Sequence, residues 1–505
     1  MQSPFGNYGY TVLTANALRT PDAIALAYRG EAYSFDQLNR AVNQVAHALI
    51  GRGVTAGKRT GSLMSDAFPI AKLYLAEAKT GVVTAAFNPY WDETMTLSAI
   101  ETGALDFVVY DAAHAALAHA LEPRTPGVKW VAYEEIADAA ATASEAEPPL
   151  GGFDEDIMAF FYTSGTSGVS KTVVHTHNSC KAISSVLLEI ERSQDSVWGT
   201  GPIIWGIGFV ATLGAALYVG MKAALEDDFG PARFLEAVQR ERISHAAMIP
   251  SQWADLLSNH PHQDFDLSSL RMIILGGEPM SGTLLAKLRE RLPQVSLYTF
   301  FGQTESPYTC VGRIEDEATA QTVGRARISV PLRTIDAAGN RVVGVPGEIA
   351  ISGPHVFKEY LGRPEDTAKA LKDGWFLCGD LGIIGEDGRL VVLGRREDAI
   401  SRGDRFVRPI EIEEVVLTIP GVAEAGAIGT PANADRQKII LAVSLQSGAQ
   451  LSEADIRQQL SGKLAAADTP ELIVVADELP HGNDASGGRG KLLRRAIRDQ
   501  YEHLI

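Results

Sequence analysis

The chain has 505 residues, more than one hydrophobic core ordinarily supports, so two or more domains are expected. Hydrophobic residues make up 46% and charged residues 21%, which argues against a disordered or fibrous chain and leaves an ordinary globular one. With 62 acidic against 45 basic side chains the formal charge is −17, a balance that argues against a nucleic-acid partner, and three widely spaced cysteines suit neither a disulfide framework nor a zinc knuckle.

In chain order, the opening MQSPFGNYGYTVLTANALRTPD lacks a basic stretch followed by an apolar run, so no secretory signal is expected. The closing YEHLI matches no targeting address, and with so few cysteines a reducing cytoplasm is the expected location. Residues 35–53 have the apolar spacing of an amphipathic helix, and the Ala-rich stretch 137–149 reads as a surface helix followed by a linker. Residues 201–221, GPIIWGIGFVATLGAALYVGM, carry no charge and raise the question of a membrane span. Glycines and a proline punctuate the segment and no basic flank orients it, so a buried loop and core helix is the expectation, with no membrane span. Strand-like runs such as RMIILGG (271–277) and ELIVVAD (471–477) alternate with helical stretches, which predicts an α/β architecture with largely parallel sheets. Between 323 and 393 short apolar runs are split by turn signals, the texture of a small β-rich subdomain. Near residue 396 a new compact unit begins, with EIEEVVLTIPGV as helix, KIILAVSL as strand and SEADIRQQLSGKL as helix, so domains at 1–395 and 396–505 are predicted.

The strongest local chemical signal is FYTSGTSGVSK (161–171), where hydroxyl residues alternate with glycines directly after the apolar run IMAFFY. Glycines let backbone amides turn toward an anion and the hydroxyls add neutral donors, so the loop suits phosphate oxygens. The same composition also makes a plain flexible turn. A Walker A motif does not occur, which sets aside the ordinary nucleotide hydrolases. His175 and His177, just beyond the loop, read as structural in preference to catalytic.

Further motifs follow in order: LGGEPM (275–280), FFGQTE (300–305), DGWFLCGDLG (373–382), GRREDAISRGDRFVRPIEIEE (394–414) and GRGKLLRRAI (488–497). Together with the hydroxyl–glycine loop this series resembles the adenylate-forming superfamily of acyl-CoA synthetases, adenylation domains and firefly luciferase, over almost the whole chain. The resemblance implies a large N-terminal domain of two parallel-type sheets flanked by helices, with the β-rich subdomain, and a small mobile C-terminal α+β domain. It also implies ATP and Mg²⁺ as cofactors, with Thr163, Ser164, Gly165, Thr166, Ser167, Gly168 and Lys171 around the β- and γ-phosphates. Gly277, Glu278 and Pro279 would line the adenine, Phe301 would stack on it, and Gly302 would lie beside them. Thr304 would bind the α-phosphate and Glu305 would hold the metal, in keeping with the preference of a hard cation for carboxylate oxygen. A bland alternative makes Glu305 a strand-end carboxylate.

By the same resemblance Asp380 would accept hydrogen bonds from the ribose hydroxyls, Arg395 would contact the ribose, and Glu397 would be the hinge. Cys378 stands where the family usually has Thr, so packing there is better kept than polarity. Gly403 would let the backbone approach the pantetheine arm of coenzyme A, while Arg402, Arg405 and Arg408 would hold its phosphates, although a solvated loop explains these arginines as well. Lys491 would reach the reacting centre as a catalytic residue, and a basic helix start is the alternative. The loop between Pro480 and Lys491 is longer than the family's usual one. Trp205, Gly206, Ile207, Ala247, Phe300, Gly277 and Gly302 would line the acyl pocket, an apolar set suited to an uncharged acyl or aryl tail, with Trp205 equally readable as core.

The expected function is thus an ATP-dependent ligase joining a small carboxylic acid to coenzyme A through an acyl adenylate. Alternatives are loading of a carrier protein, or transfer of the acyl group to an amine or other nucleophile. No carrier domain follows Lys491 before Ile505, and an acidic enzyme meets an acidic carrier with some repulsion, so coenzyme A is the expected acceptor.

Overall fold

The computed structural model describes residues 2–163, 171–190, 196–199, 203, 208–227, 230–260, 264–278, 280–403, 405–431, 436–483 and 489–505, with the backbone alone for 482, 483 and 489–491. The described residues divide into two compact units. One runs to Pro331 and takes in Ser352–Gly374; the other holds Leu332–Ile351 and Trp375–Ile505.

The first unit is built on two sheets. A nine-stranded sheet has the spatial order Arg325–Ala326, Ser306–Arg313, Ser296–Gln303, Met272–Gly276, His245–Met248, Val197–Gly199, Lys222–Leu225, Ile24–Tyr28, Glu31–Ser34. Its inner neighbours are parallel and its two ends antiparallel. A seven-stranded sheet has the order Glu359–Tyr360, Thr172–Thr176, Ile157–Tyr162, Val83–Ala86, Arg59–Leu63, Phe107–Tyr110, Lys129–Ala132, antiparallel only in its first two pairings. Parallel strands need long crossovers, which helices supply and which cover the sheet faces. The largest core joins residues of both sheets, such as Leu225, Ile274, Phe107 and Phe161, through the helices Phe35–Gly51, Ala67–Thr80 and His177–Ser184.

Helix Phe35–Gly51 begins where the apolar spacing predicts. Ser34 caps it, accepting from the Gln37 N–H at 3.2 Å while Gln37 Oε1 accepts from the Ser34 N–H at 2.9 Å. Among the described residues no helix is long and apolar enough to cross a membrane. Within the uncharged stretch, helical turns at Phe209–Leu213 and Gly214–Tyr218 end before the strand Lys222–Leu225, and most of their side chains are buried.

Short strands dominate the expected β-rich stretch. Leu332–Ile335, Arg341–Val342, Gly347–Ile351, Leu371–Lys372, Trp375–Ile384 and Leu390–Arg395 form a six-stranded sheet. Residues 352–374 depart from that texture: they include the helix Pro364–Ala370, and Glu359–Tyr360 pairs with the seven-stranded sheet. The backbone dictates this departure, because the Lys358 N–H donates to the Val174 carbonyl at 2.8 Å and the Leu361 N–H to that of Thr172 at 2.9 Å. Later in the second unit, the strands Val422–Thr430, Lys438–Leu445 and Leu472–Ala476 make a small sheet packed with the helices Pro409–Leu417 and Glu453–Leu460.

Candidate active site

The strand Ile157–Tyr162 runs antiparallel to Thr172–Thr176, and the connection between them is closed at its base. The Thr163 N–H donates to the Lys171 carbonyl at 3.1 Å, and the Lys171 N–H donates to Thr163 Oγ1 at 3.1 Å. Ser164, Gly165, Thr166, Ser167 and Gly168 lie outside the described residues. Beyond the loop, Thr176 caps the helix His177–Ser184 in a reciprocal box with Ser179.

That turn buries His175 completely. Its Nε2 lies 2.8 Å from the Thr304 carbonyl and its Nδ1 lies 3.0 Å from Ser179 Oγ. A carbonyl only accepts, so Nε2 carries the proton. Burial lowers the imidazole pKa to about 4, which keeps the ring neutral at pH 7. His177 is also buried, with its pKa lowered to about 4, and its Nδ1 accepts the Tyr8 N–H at 3.1 Å. Both rings therefore hold backbone in place, which suits their structural reading.

Thr304 and Glu305 form the turn between Ser296–Gln303 and Ser306–Arg313. The turn is tight enough that a Cβ on Gly302 would lie 2.5 Å from the Tyr308 amide nitrogen, a contact only glycine avoids. Glu305 is buried, and its Oε1 accepts from the Tyr360 hydroxyl at 2.8 Å. The Glu305 carbonyl accepts from the Phe357 N–H at 2.8 Å. Lys171 places its ammonium 4.5 Å from the Tyr360 ring centroid and 3.5 Å from Asp366 Oδ2, and its charge draws the Asp366 carboxyl below the usual range. Tyr360 and Asp366 are absent from the sequence expectation. No local pattern marks them, since Tyr360 reaches Glu305 across 55 positions through sheet pairing.

This donor set fits Mg²⁺. Among the described residues no three His, Cys, Asp or Glu side chains converge as a metal cage. Mg²⁺ favours one or two carboxylates completed by phosphate oxygens and water, and Glu305 offers a second oxygen with no hydrogen-bond partner among the described residues.

The buried strand Met272–Gly276 ends at Gly277, whose φ of +81° suits glycine. Glu278 then accepts the Ser251 N–H at 3.1 Å, at the positive end of helix Pro250–Asn259. Phe300 pairs with Gly276 in the sheet register, and its ring lies 4.8 Å from that of Tyr308. A Cβ on Gly276 would meet the Phe300 ring at 2.4 Å, so the glycine makes room for it. Ala247, partly buried, pairs with Ile274 in the same sheet, and Phe301 is half-buried on the opposite face of its strand from Phe300. Pro279, Trp205, Gly206 and Ile207 lie outside the described residues.

In the second unit Asp380 and Arg395 face each other on adjacent strands. Arg395 Nε lies 3.3 Å from Asp380 Oδ1, and Arg395 Nη1 donates to the Cys378 carbonyl at 3.0 Å. The Cys378 sulfur is 3.9 Å from Asp380 Oδ2, a weak contact, and burial pushes its thiol pKa up, so Cys378 acts mainly by packing. Glu397 is exposed, and its carbonyl accepts from Arg498 Nη2 at 2.9 Å. Gly403 has a φ of +91° and open space where a Cβ would be. The neighbouring arginines are already engaged: buried Arg402 with Glu471 at 3.1 Å, Arg405 with Asp468, and Arg408 with Glu411 at 2.8 Å. A coenzyme phosphate would compete with those carboxylates. Lys491 has its backbone in the strand Arg489–Leu492, paired antiparallel with His481–Asn483, so the two ends of the long loop pair with each other; the lysine side chain lies outside the described atoms. The following helix is tied down by Arg494, which donates to both Glu413 oxygens at 2.9 and 2.8 Å.

The chain belongs to the AMP-binding enzyme family, whose model matches residues 13–361, and the model of that family's C-terminal domain matches 411–487. It is an adenylate-forming enzyme. It is 28% identical to a feruloyl-CoA synthase of Amycolatopsis sp, over 96% of this chain and 97% of the relative, and 26% identical to the long-chain-fatty-acid–CoA ligase FadD13 of Mycobacterium tuberculosis, over 94% of each. The ATP-bound crystal structure of MatB from Rhodopseudomonas palustris superposes with a TM-score of 0.86 at 26% identity, covering 99% of both chains.

Proposed function

We propose that this enzyme is a carboxylic acid–CoA ligase working in two steps. The observation that supports this most directly is the cluster of buried Glu305 and Tyr360 with half-buried Lys171 beside the Thr304 turn, which suits a metal-bound triphosphate. Full-length similarity to relatives named as CoA ligases supports coenzyme A as acceptor.

In the first step a substrate carboxylate oxygen attacks the α-phosphorus of ATP; the bond to the bridging oxygen breaks and pyrophosphate leaves with its electron pair. Thr163 and Lys171, with the loop between them, hold the β- and γ-phosphates, Thr304 binds the α-phosphate, and Asp380 and Arg395 hold the ribose. Phe301, with Gly277 and Glu278, receives the adenine. Glu305 would hold Mg²⁺, which when bound would supply neutralisation of phosphate charge. Lys491 steers the carboxylate and offsets charge growing on the α-phosphate. In the second step the coenzyme A thiolate attacks the acyl carbon, the carbon–oxygen bond to AMP breaks, and AMP leaves. For this step the C-terminal region, residues 396–505, turns about Glu397, withdraws Lys491 and presents the Gly403 loop to the pantetheine arm. Ala247 and Phe300 suit an uncharged acyl or aryl tail.

The test is pyrophosphate release with MgATP across aliphatic and aromatic acids, with and without coenzyme A, and mass detection of products. One acid class giving pyrophosphate and its CoA thioester supports the reading. Accumulated acyl adenylate without thioester shifts the acceptor to a carrier protein or another nucleophile.

A further inference from the structure

Glu305 and Lys171 carry opposite charges, lie in the same compact unit and both touch Tyr360, yet they form no ion pair with each other among the described residues. The ammonium sits instead 4.5 Å from the centroid of the Tyr360 ring and 3.5 Å from Asp366. Tyr360 is well placed to act as a spacer because its backbone is pinned. It pairs with Val173 across the sheet, its N–H donates to Thr367 Oγ1 at 3.0 Å, and its ring packs 4.6 Å from that of Phe357.

The terminal torsion of a glutamate is soft, so a carboxylate rotates unless something holds one oxygen. The Tyr360 hydroxyl does this at 2.8 Å, with a charge-assisted hydrogen bond. We propose that Tyr360 is a positioning residue that presents the second oxygen of Glu305 to the divalent cation of the nucleotide and, by seating Lys171 on its ring, keeps that ammonium off the carboxylate. The proposal rests on the reading of Glu305 as the metal-binding carboxylate. Nothing in the motif series marks Tyr360 for such a role; the hydrogen bond and the ring contact do.

The test uses the full chain and Mn²⁺, whose free concentration is read by electron paramagnetic resonance, in the presence of a non-hydrolysable ATP analogue. Tyr360→Phe keeps the ring under Lys171 and loses the hydroxyl; Tyr360→Leu loses both; Glu305→Gln removes the carboxylate charge. Tyr360→Phe is expected to weaken Mn²⁺ binding roughly tenfold, as loss of an outer-shell partner does, in a chain whose melting curve shows it still folded at the assay temperature. Tyr360→Leu is expected to weaken it further. In pyrophosphate release, Tyr360→Phe should raise the Mg²⁺ concentration needed for half-maximal rate more than it lowers the rate at saturation. Unchanged Mn²⁺ affinity in Tyr360→Phe, where Glu305→Gln abolishes binding, overturns the positioning role and leaves the ligase reading standing. Equal values for the Phe and Leu variants overturn the seating of Lys171. Unchanged affinity in Glu305→Gln overturns the metal assignment and the inference with it.

Discussion

His175, His177 and His355 are buried, and burial lowers their pKa values to about 4, 4 and 3. A ring that is neutral across the physiological range makes a poor proton donor and a good fixed hydrogen-bonding group, and His175 uses that property on the Thr304 carbonyl. Glu305 and Asp380 were legible as site candidates because each sits in a contiguous motif. Tyr360 was not, because its partner lies 55 positions away and only sheet pairing brings them together. Lys491→Ala is expected to slow adenylation roughly 100-fold or more, as removal of a transition-state donor does, while sparing thiol transfer from a supplied acyl adenylate. Pyrophosphate release and thioester formation, measured separately, check this; equal loss in both steps contradicts the role.

At the scale of elements, helix Ala67–Thr80 is apolar on nearly every face, and it is buried on nearly every face. Near its end Lys79 is fully buried, and its ammonium donates to Asn39 and Asn43 at 2.7 Å each and to Glu147 at 2.8 Å. Desolvation lowers the lysine pKa to about 8, still leaving it charged at pH 7, and the same contact holds the Glu147 carboxyl down. The sequence reads 137–149 as a surface helix and linker. The helix ends at Ala140, and Glu147 in the linker supplies the counter-charge of a core lysine on another element, which no local pattern signals. Glu147→Gln leaves that ammonium without its anion, so the variant is expected to lose about 3 kcal/mol of stability. Lys79→Met combined with Glu147→Leu is expected to lose less than the sum of its single changes, in a double-mutant cycle measured by urea unfolding.

Whole-molecule stability should carry the imprint of one buried acid. Glu77 is fully buried among Tyr74, Thr60 and Thr84, with the Thr84 hydroxyl donating to it at 2.6 Å, and desolvation raises its pKa from 4.5 to about 8. The folded state therefore holds a proton that the unfolded chain releases above pH 4.5. The stability this proton contributes is complete below pH 4.5 and is lost as the pH rises toward 8, by at most about 1.4 kcal/mol per pH unit for one proton. Glu77→Gln removes this loss, so its stability relative to the unsubstituted enzyme is expected to increase from pH 5 to pH 8. Urea unfolding at several pH values measures it, and a constant difference between the two proteins would show that Glu77 titrates normally in the fold.

Chain length, the alternation of strand and helix patterns and the ordered motif series are enough to define the α/β class and the adenylate-forming family. Each depends on residues near one another in the sequence: turn glycines, apolar periodicity and contiguous signatures. Tertiary structure alone decided which distant side chains share a polar contact. Tyr360 on Glu305, Lys171 over Tyr360, His175 on the Thr304 carbonyl and Glu147 on Lys79 all depend on sheet register or core packing between separated segments. The energy of a polar or charged group held away from water depends on whether a partner stands within reach, and in these four cases only the fold brings that partner there.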